Sequence, residues 1–290
     1  MSDMPDSTNL QAADRTGGDD LIHALHQEGI RVIFGLPGVQ LYHAVIPLLD
    51  YPDIQFITTR HEQATTYMAD GYARASGDIG VSMIVPGPGL QNASAGITNA
   101  YAASSRVLVI CGQIERDKIG KDIGVLHEIN DQLDIVKPIT KWQSRALTSQ
   151  EIAPTVQEAF YQLRTGRPRP VEIEIPPDAL SERVSQLEYS PRYPDTPPVD
   201  GAAIEEAAAL IAEAQNPVIW AGGGVHTSGA SEILLRLAEY LQIPVLTTPE
   251  GKGAISDRHH LSLGTPQGRS TGESKDELRD FFYTCDVVLA

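Results

Sequence analysis

Cysteine is nearly absent. Cys111 and Cys285 are the two in 290 residues, they lie far apart, and no CxxC pair occurs. A disulfide framework is therefore excluded, and Cys111, inside the apolar run 107–111, is expected to serve as packing. Long apolar runs are missing too. Nothing approaches the ~20 residues that a membrane-spanning helix needs, and residues 1–15 are polar and acidic, without the apolar core of a secretory leader. The chain thus reads as cytoplasmic, and the sequon Asn92-Ala93-Ser94 carries no weight. Positive charge is short as well: 22 basic residues, six of them lysine, face 38 acidic ones, for a net charge of −16. Such a surface repels phosphate backbones and anionic lipid, which argues against nucleic acid and membranes as partners.

What is present is an ordinary globular composition, 41% hydrophobic and 21% charged, in a length that suggests two domains. Residues 1–15 read as a disordered tail. Thr16-Gly17-Gly18-Asp19 fits a capping box opening a helix to about Gln27, ended by Gly29. Strands are expected at 31–34, 54–57, 81–85 and 107–111, alternating with helices at 41–49, 62–75 and 90–103. A less regular stretch, 112–137, precedes a strand near 139–142, a helix over 150–164 and a strand at 171–175. The alternation predicts an α/β fold: a parallel sheet with helices on both faces, over 16–180. Pro191, Pro194, Pro197 and Pro198 mark 181–200 as an extended linker. A second α/β unit, Rossmann-like and incomplete, follows over 201–290: helix 201–214, strand 218–221, a tight Gly222-Gly223-Gly224 turn, helix 229–241, strand 244–247 and a buried strand at 286–290. The pattern stops there without a covering helix, so the chain is expected to be the front portion of a longer protein.

Four features of the first unit stand together. Gly35-Leu36-Pro37-Gly38 follows the first strand, Arg60-His61-Glu62 the second, and Pro86-Gly87-Pro88-Gly89 the third; Ala69-Asp70-Gly71-Tyr72-Ala73-Arg74 continues the helix behind Glu62. Ligand crevices in open α/β sheets form beyond the carboxyl ends of strands. Taken singly, each feature has a plain explanation. Glycine-proline turns are usually only turns, Glu62 would favour a helix N-terminus, Asn92 is a helix-start residue, and Gly71 would let a neighbouring helix pack.

Jointly, RHEQAT and YMADGYARASG, preceded by FGLPG and followed by PGPGLQNA, resemble the pyrimidine-binding domain of the acetolactate synthase and pyruvate oxidase family of thiamine diphosphate enzymes. The resemblance covers about residues 18–180, and the segment from NPVIWAGGGV to PVLTTPEGKGAISDRHHLSLG is similar to the start of the family's central domain. It implies that Glu62 hydrogen-bonds N1′ of the aminopyrimidine and favours the imino tautomer. The 4′-nitrogen then takes the proton from thiazolium C2, and the resulting ylide attacks the carbonyl of a 2-oxo acid. Pro37 and Gly38 would supply the turn near the ring, and Pro88 and Asn92 would line the pocket. The reaction implied is decarboxylation of pyruvate and joining to a second 2-oxo acid. Other readings are a different 2-oxo acid decarboxylase or carboligase, and a non-catalytic truncated subunit.

Two segments depart from the synthases. Leu126-His127-Glu128 stands where they carry Phe-Gln-Glu, leaving His127 as a proton donor or acceptor, or as an exposed loop histidine. Gly264-Thr265-Pro266-Gln267-Gly268 replaces a Gly-Met-His-Gly-like run. The family holds the diphosphate and magnesium through a C-terminal domain with a Gly-Asp-Gly signature, from a second subunit. No such stretch occurs here, so residues 1–290 alone are expected not to hold the cofactor. A homodimer or homotetramer with its active site at the interface is implied. The central domain holds flavin adenine dinucleotide (FAD) in some members and nothing in others, and Gly222-Gly223-Gly224 lacks GxGxxG spacing. No metal site is expected: His23 and His26 share a helix face without a third ligand.

Overall fold

The computed structural model describes residues 15–184, 188–266 and 274–290. The tail expected over 1–15 lies outside them except for Arg15, as do 185–187 of the expected linker and Gln267 and Gly268. The chain divides between Asp195 and Thr196 into two compact units.

In the first unit, α1 (Gly17–Gln27) leads to β1 (Val32–Gly35), the short α2 (Tyr42–Val45), β2 (Gln55–Thr58), α3 (Glu62–Ser76), β3 (Gly80–Ile84) and α4 (Pro88–Ala103). Then come β4 (Val107–Gly112), the short α5 (Gln132–Val136), β5 (Trp142–Arg145), α6 (Ser149–Arg164), β6 (Val171–Ile175) and α7 (Pro177–Ser181). The six strands form one sheet, ordered β2-β1-β3-β4-β6-β5, and every pairing is parallel. Strands β3, β4 and β6 are buried throughout, as expected when helices cover both faces. On one face Leu21, Leu25, Val156 and Phe160 pack against Ile33, Met83, Leu108 and Ile173. On the other, Ala69, Leu90, Ala93 and Ile97 pack against Phe34, Ile84, Val109 and Cys111. The strand order reverses between β1 and β3, which places the topological switch point, where open α/β sheets bind ligands, at their carboxyl ends.

Local chemistry sets the helix ends. The Asp19 carboxylate accepts from the backbone N–H and the hydroxyl of Thr16, each at 2.7 Å. Gly77, in the left-handed region at φ 79°, closes α3. Two expectations for the first unit need correction. The helix expected over 41–49 is broken into α2 flanked by 3-10 turns, because Pro47 has no N–H to continue it. The strand expected near 139–142 is β5, three residues later. Lys137-Pro138-Ile139 form a 3-10 turn and the Thr140 hydroxyl donates to the Val136 carbonyl, so extended pairing starts only at Trp142. Among the described residues Gly71 meets nothing within 4 Å; the close helix contact within the unit is at Gly96 of α4, where a Cβ would lie 2.2 Å from Thr66 Oγ1 of α3.

Residues 188–193 of the expected linker run along α6. Gln157 donates to the Ser190 carbonyl, Arg192 pairs with Glu158 and stacks over Tyr161, and the Tyr189 hydroxyl donates to Glu28.

The second unit contains α8 (Gly201–Glu213), β7 (Pro217–Ala221), the short α9 (Gly224–Thr227), α10 (Ser231–Leu241), β8 (Val245–Thr247), β9 (Ser262–Gly264), α11 (Ser274–Thr284) and β10 (Val287–Leu289). Its parallel sheet is ordered β10-β7-β8-β9. The buried strand expected at 286–290 is instead an edge strand, with Val288 41% exposed, since only β7 pairs with it among the described residues.

Asp20 of α1 is buried, and its Oδ1 has no hydrogen-bond partner. Burial, and then the charge of Asp19, push its carboxyl up to about 6, against the opposing pull of Arg15. A raised folded-state value means that the protonated form favours folding, and that this contribution is lost as pH rises through about 6. Asp20→Asn is therefore expected to raise stability above pH 7 by about 2 kcal/mol. The difference between variant and wild type should vanish below about pH 4 in urea unfolding followed across pH.

Candidate functional site

Three turns converge at the carboxyl ends of β1, β2 and β3. His61, extended at φ −159° and ψ 139°, caps α3, its Nδ1 accepting from the Gln63 N–H at 3.2 Å. That conformation turns Glu62, the first helical residue, inward, and it is only 9% exposed. The Thr65 hydroxyl donates to the Glu62 carbonyl at 2.7 Å and bonds Ser82 of β3 at the same distance, tying the helix start to the sheet.

Two glycines make room around the carboxylate. A Cβ on Gly89 would lie 2.6 Å from Val85 Cγ2 and 3.5 Å from Glu62 Oε1, while one on Gly38 would lie 2.4 Å from Val85 Cγ1. Gly38, Val85, Gly89 and Glu62 therefore form one wall. Asn92, one turn into α4, donates from Nδ2 to Glu62 Oε2 at 2.9 Å. Pro37, Pro88 and Asn92 are exposed, the prolines standing next to Gly38 and Gly89 in sequence and Asn92 on the carboxylate itself. Of the residues expected from sequence, Glu62 and Asn92 are thus in direct contact, and Gly38 shares their wall.

His127 arrives from the irregular stretch 113–131. It is half-buried, its backbone lies in the left-handed region at φ 70°, and its Nδ1 is 3.2 Å from Oε1 of the buried Gln40. Its carbonyl abuts Gly87, where a Cβ would come within 2.4 Å of it. Glu128 holds the loop by accepting from the N–H groups of Ile123, Gly124 and Val125. Burial raises that carboxyl, but these donors win and hold it below its ordinary value.

Sequence reasoning passed over Gln132. Gly87 sits at φ 59° and ψ −113°, and its N–H donates to Gln132 Oε1 at 2.6 Å; Gln132 Nε2 donates in turn to the Gly112 carbonyl at 3.1 Å. Gln132, 1% exposed, braces the third turn against the end of β4. No pattern in the sequence marks it. Behind it, Arg145 Nε donates to Glu174 Oε2 at 2.5 Å, and its guanidinium pairs with Asp131, the cap of α5. Burial pushes the carboxyls of Glu172 and Glu174 up, and neither Glu172 oxygen has a hydrogen-bond partner. Burial and then these two carboxyls push the Cys111 thiol up, so it stays protonated.

Four other histidines are occupied locally: His23 Nδ1 lies 3.1 Å from the Tyr51 hydroxyl, His26 Nε2 2.9 Å from Asp53, His226 Nε2 3.0 Å from the Lys252 carbonyl and His259 Nε2 3.2 Å from Glu239. Among the described residues no group of three or more His, Cys, Asp or Glu is placed to hold a metal ion, and no helix is long and apolar enough to cross a membrane.

Residues 15–135 match the family described as thiamine pyrophosphate enzyme, N-terminal TPP binding domain, and residues 204–290 match thiamine pyrophosphate enzyme, central domain. The chain belongs to the thiamine pyrophosphate enzyme family. Its relatives include the probable acetolactate synthase large subunit of Methanocaldococcus jannaschii, 41% identical over 94% of this chain and 46% of that protein. The acetolactate synthase large subunit of Lactococcus lactis subsp. lactis is 37% identical over 86% of this chain and 44% of its own. That of Haemophilus influenzae is 34% identical over 94% and 48%. The chain spans about half the length of the curated relatives it matches. Within this family frame, the first unit is the N-terminal domain and the three turns lie on it.

Gln132→Leu leaves the buried Gly87 N–H without an acceptor. The expected loss is about 1–3 kcal/mol of unfolding free energy, read from urea denaturation, with faster protease cleavage in the 113–131 loop that rests on Gly87.

Proposed function

We propose that this chain forms the pyrimidine-binding half of a thiamine diphosphate-dependent enzyme that acts on 2-oxo acids in the manner of an acetolactate synthase large subunit. One observation carries the reading: a buried carboxylate, Glu62, stands at the sheet's switch point with one oxygen fixed by Asn92 and the other beside Gly89. An aminopyrimidine is flat and carries a ring nitrogen that shares a proton with a carboxyl, and the wall beside Glu62 is apolar, with Val85 seated against Gly38 and Gly89. Bound there, thiamine diphosphate supplies an electron sink for decarboxylation.

The chain's own residues have distinct tasks in this reading. Glu62 holds the proton shared with N1′, and Asn92 fixes its rotamer. Gly38 and Pro37 approach the ring backbone-first, and Pro88 borders it. His127 gives or takes a proton at the substrate. The diphosphate and its magnesium are assigned to residues outside 1–290, carried by a second subunit. The solvent side of α3 suits such a partner: Tyr67 and Met68 are 43% and 39% exposed, and Gly71 faces open space. His127, where the synthases carry glutamine, favours a second reading as another 2-oxo acid decarboxylase or carboligase of the family.

Glu62→Gln tests the central assignment in the polypeptide or complex that includes the diphosphate-binding part. Exchange of the cofactor's C2 proton, followed by NMR, is expected to slow by about 10²-fold or more, with far-UV circular dichroism unchanged. Undiminished exchange would refute the role. Product analysis with pyruvate separates the two readings: acetolactate supports the synthase, free aldehyde the decarboxylase.

A further inference from the structure

His127 is held at both ends. Its backbone lies in a conformation that side-chain-bearing residues rarely adopt, and such strain persists where surrounding contacts enforce it. Glu128 ties down the loop before it, and Gly87 receives its carbonyl. The ring is fixed as well, by Gln40. This glutamine lies in the 3-10 turn Val39–Leu41 that follows Pro37 and Gly38 and is only 7% exposed, so its side chain is enclosed. Its Oε1 stands 3.2 Å from His127 Nδ1. An amide oxygen only accepts, so Nδ1 must carry the proton, and the neutral ring then keeps Nε2 as a bare acceptor.

We propose that Gln40 is a positioning residue that locks neutral His127 in its Nδ1–H tautomer, so that Nε2 is the atom offered to the substrate. This deepens the proposed function and rests on its placement of His127 at the reacting centre, although the tautomer itself depends on neither cofactor nor substrate. In its neutral form His127 then acts as a proton acceptor, and it becomes a donor only after taking up a proton at Nε2. The hydrogen-bond partner that selects the tautomer comes from the same turn that lines the Glu62 wall. One loop thus places the backbone against the ring pocket and also sets the direction in which the imidazole works.

Long-range proton–nitrogen NMR on the ¹⁵N-histidine-labelled chain reads the tautomer directly. Eight histidines are present, and loss of one signal set in His127→Asn assigns the resonance. The expected result is a neutral wild-type His127 mainly in the Nδ1–H form. Gln40→Leu, or Gln40→Met should leucine disturb folding, is expected to shift the majority to Nε2–H, while Gln40→Glu retains Nδ1–H because a carboxylate also accepts. A wild-type ring mainly in the Nε2–H form, or an unchanged tautomer in folded Gln40→Leu or Gln40→Met, overturns the proposal. Glu62→Gln should leave the tautomer untouched while slowing C2 exchange in the complex that includes the diphosphate-binding part, so failure of the cofactor reading and failure of this inference give different results.

Discussion

A carboxylate kept from bulk water is the constraint around which the first unit is arranged. A polar group is tolerated in such a place only when hydrogen-bonded, and Glu62 obtains its bond from Asn92, thirty residues on, at the start of another helix. That helix can approach only because Gly89 has no side chain to meet Val85. Val85 follows β3, which neighbours β1, and β1 in turn delivers Gly38 to the same valine. Strand order, glycine placement and the helix cap at His61 are thus consequences of one requirement.

Burial by itself does not distinguish this carboxyl. Glu172 and Glu174 are more deeply enclosed than Glu62, and burial drives both toward the protonated state. They lie on β6, between β4 and β5, with Arg145 and Gln113 bonded to Glu174. Glu62 differs by its position at a strand end, with the exposed Asn92 bonded to it. A buried acid open to a crevice suits chemistry. A buried acid sealed inside a sheet contributes polarity and a proton, and Arg145 answers only part of it.

Much of this was legible in the chain. The apolar runs at 81–85, 107–111 and 171–175 declared strands buried on both faces, and glycine-proline turns after three strands pointed to one end of the sheet. What escaped notice depends on contacts that sequence periodicity does not encode. The position of β5 is decided by the 3-10 turn at Pro138 and the Thr140 hydroxyl. The exposure of β10 follows from its place at a sheet edge, and an apolar Val-Val-Leu reads the same at an edge or a centre. Gln40 and Gln132 are single glutamines with no motif, made important by a ring nitrogen and a backbone N–H that arrive from distant segments. Within this unit the close approach of two helices falls at Gly96, which no motif marks, while Gly71 meets nothing within 4 Å among the described residues.

The brace from Gln132 to Gly87 also bears on how the protein is made. The two residues are 45 positions apart. As the chain leaves the ribosome, the turn after β3 emerges first and finds only water for its N–H. The acceptor arrives after β4 and the whole 113–131 loop have been synthesised, and closing that span carries an entropic cost that local turns avoid. Glu62 and Asn92, both translated before residue 100, can therefore meet while the wall beside them is still unbraced. The third turn acquires its brace only once α5 docks, so this end of the sheet is among the last parts of the unit to become rigid.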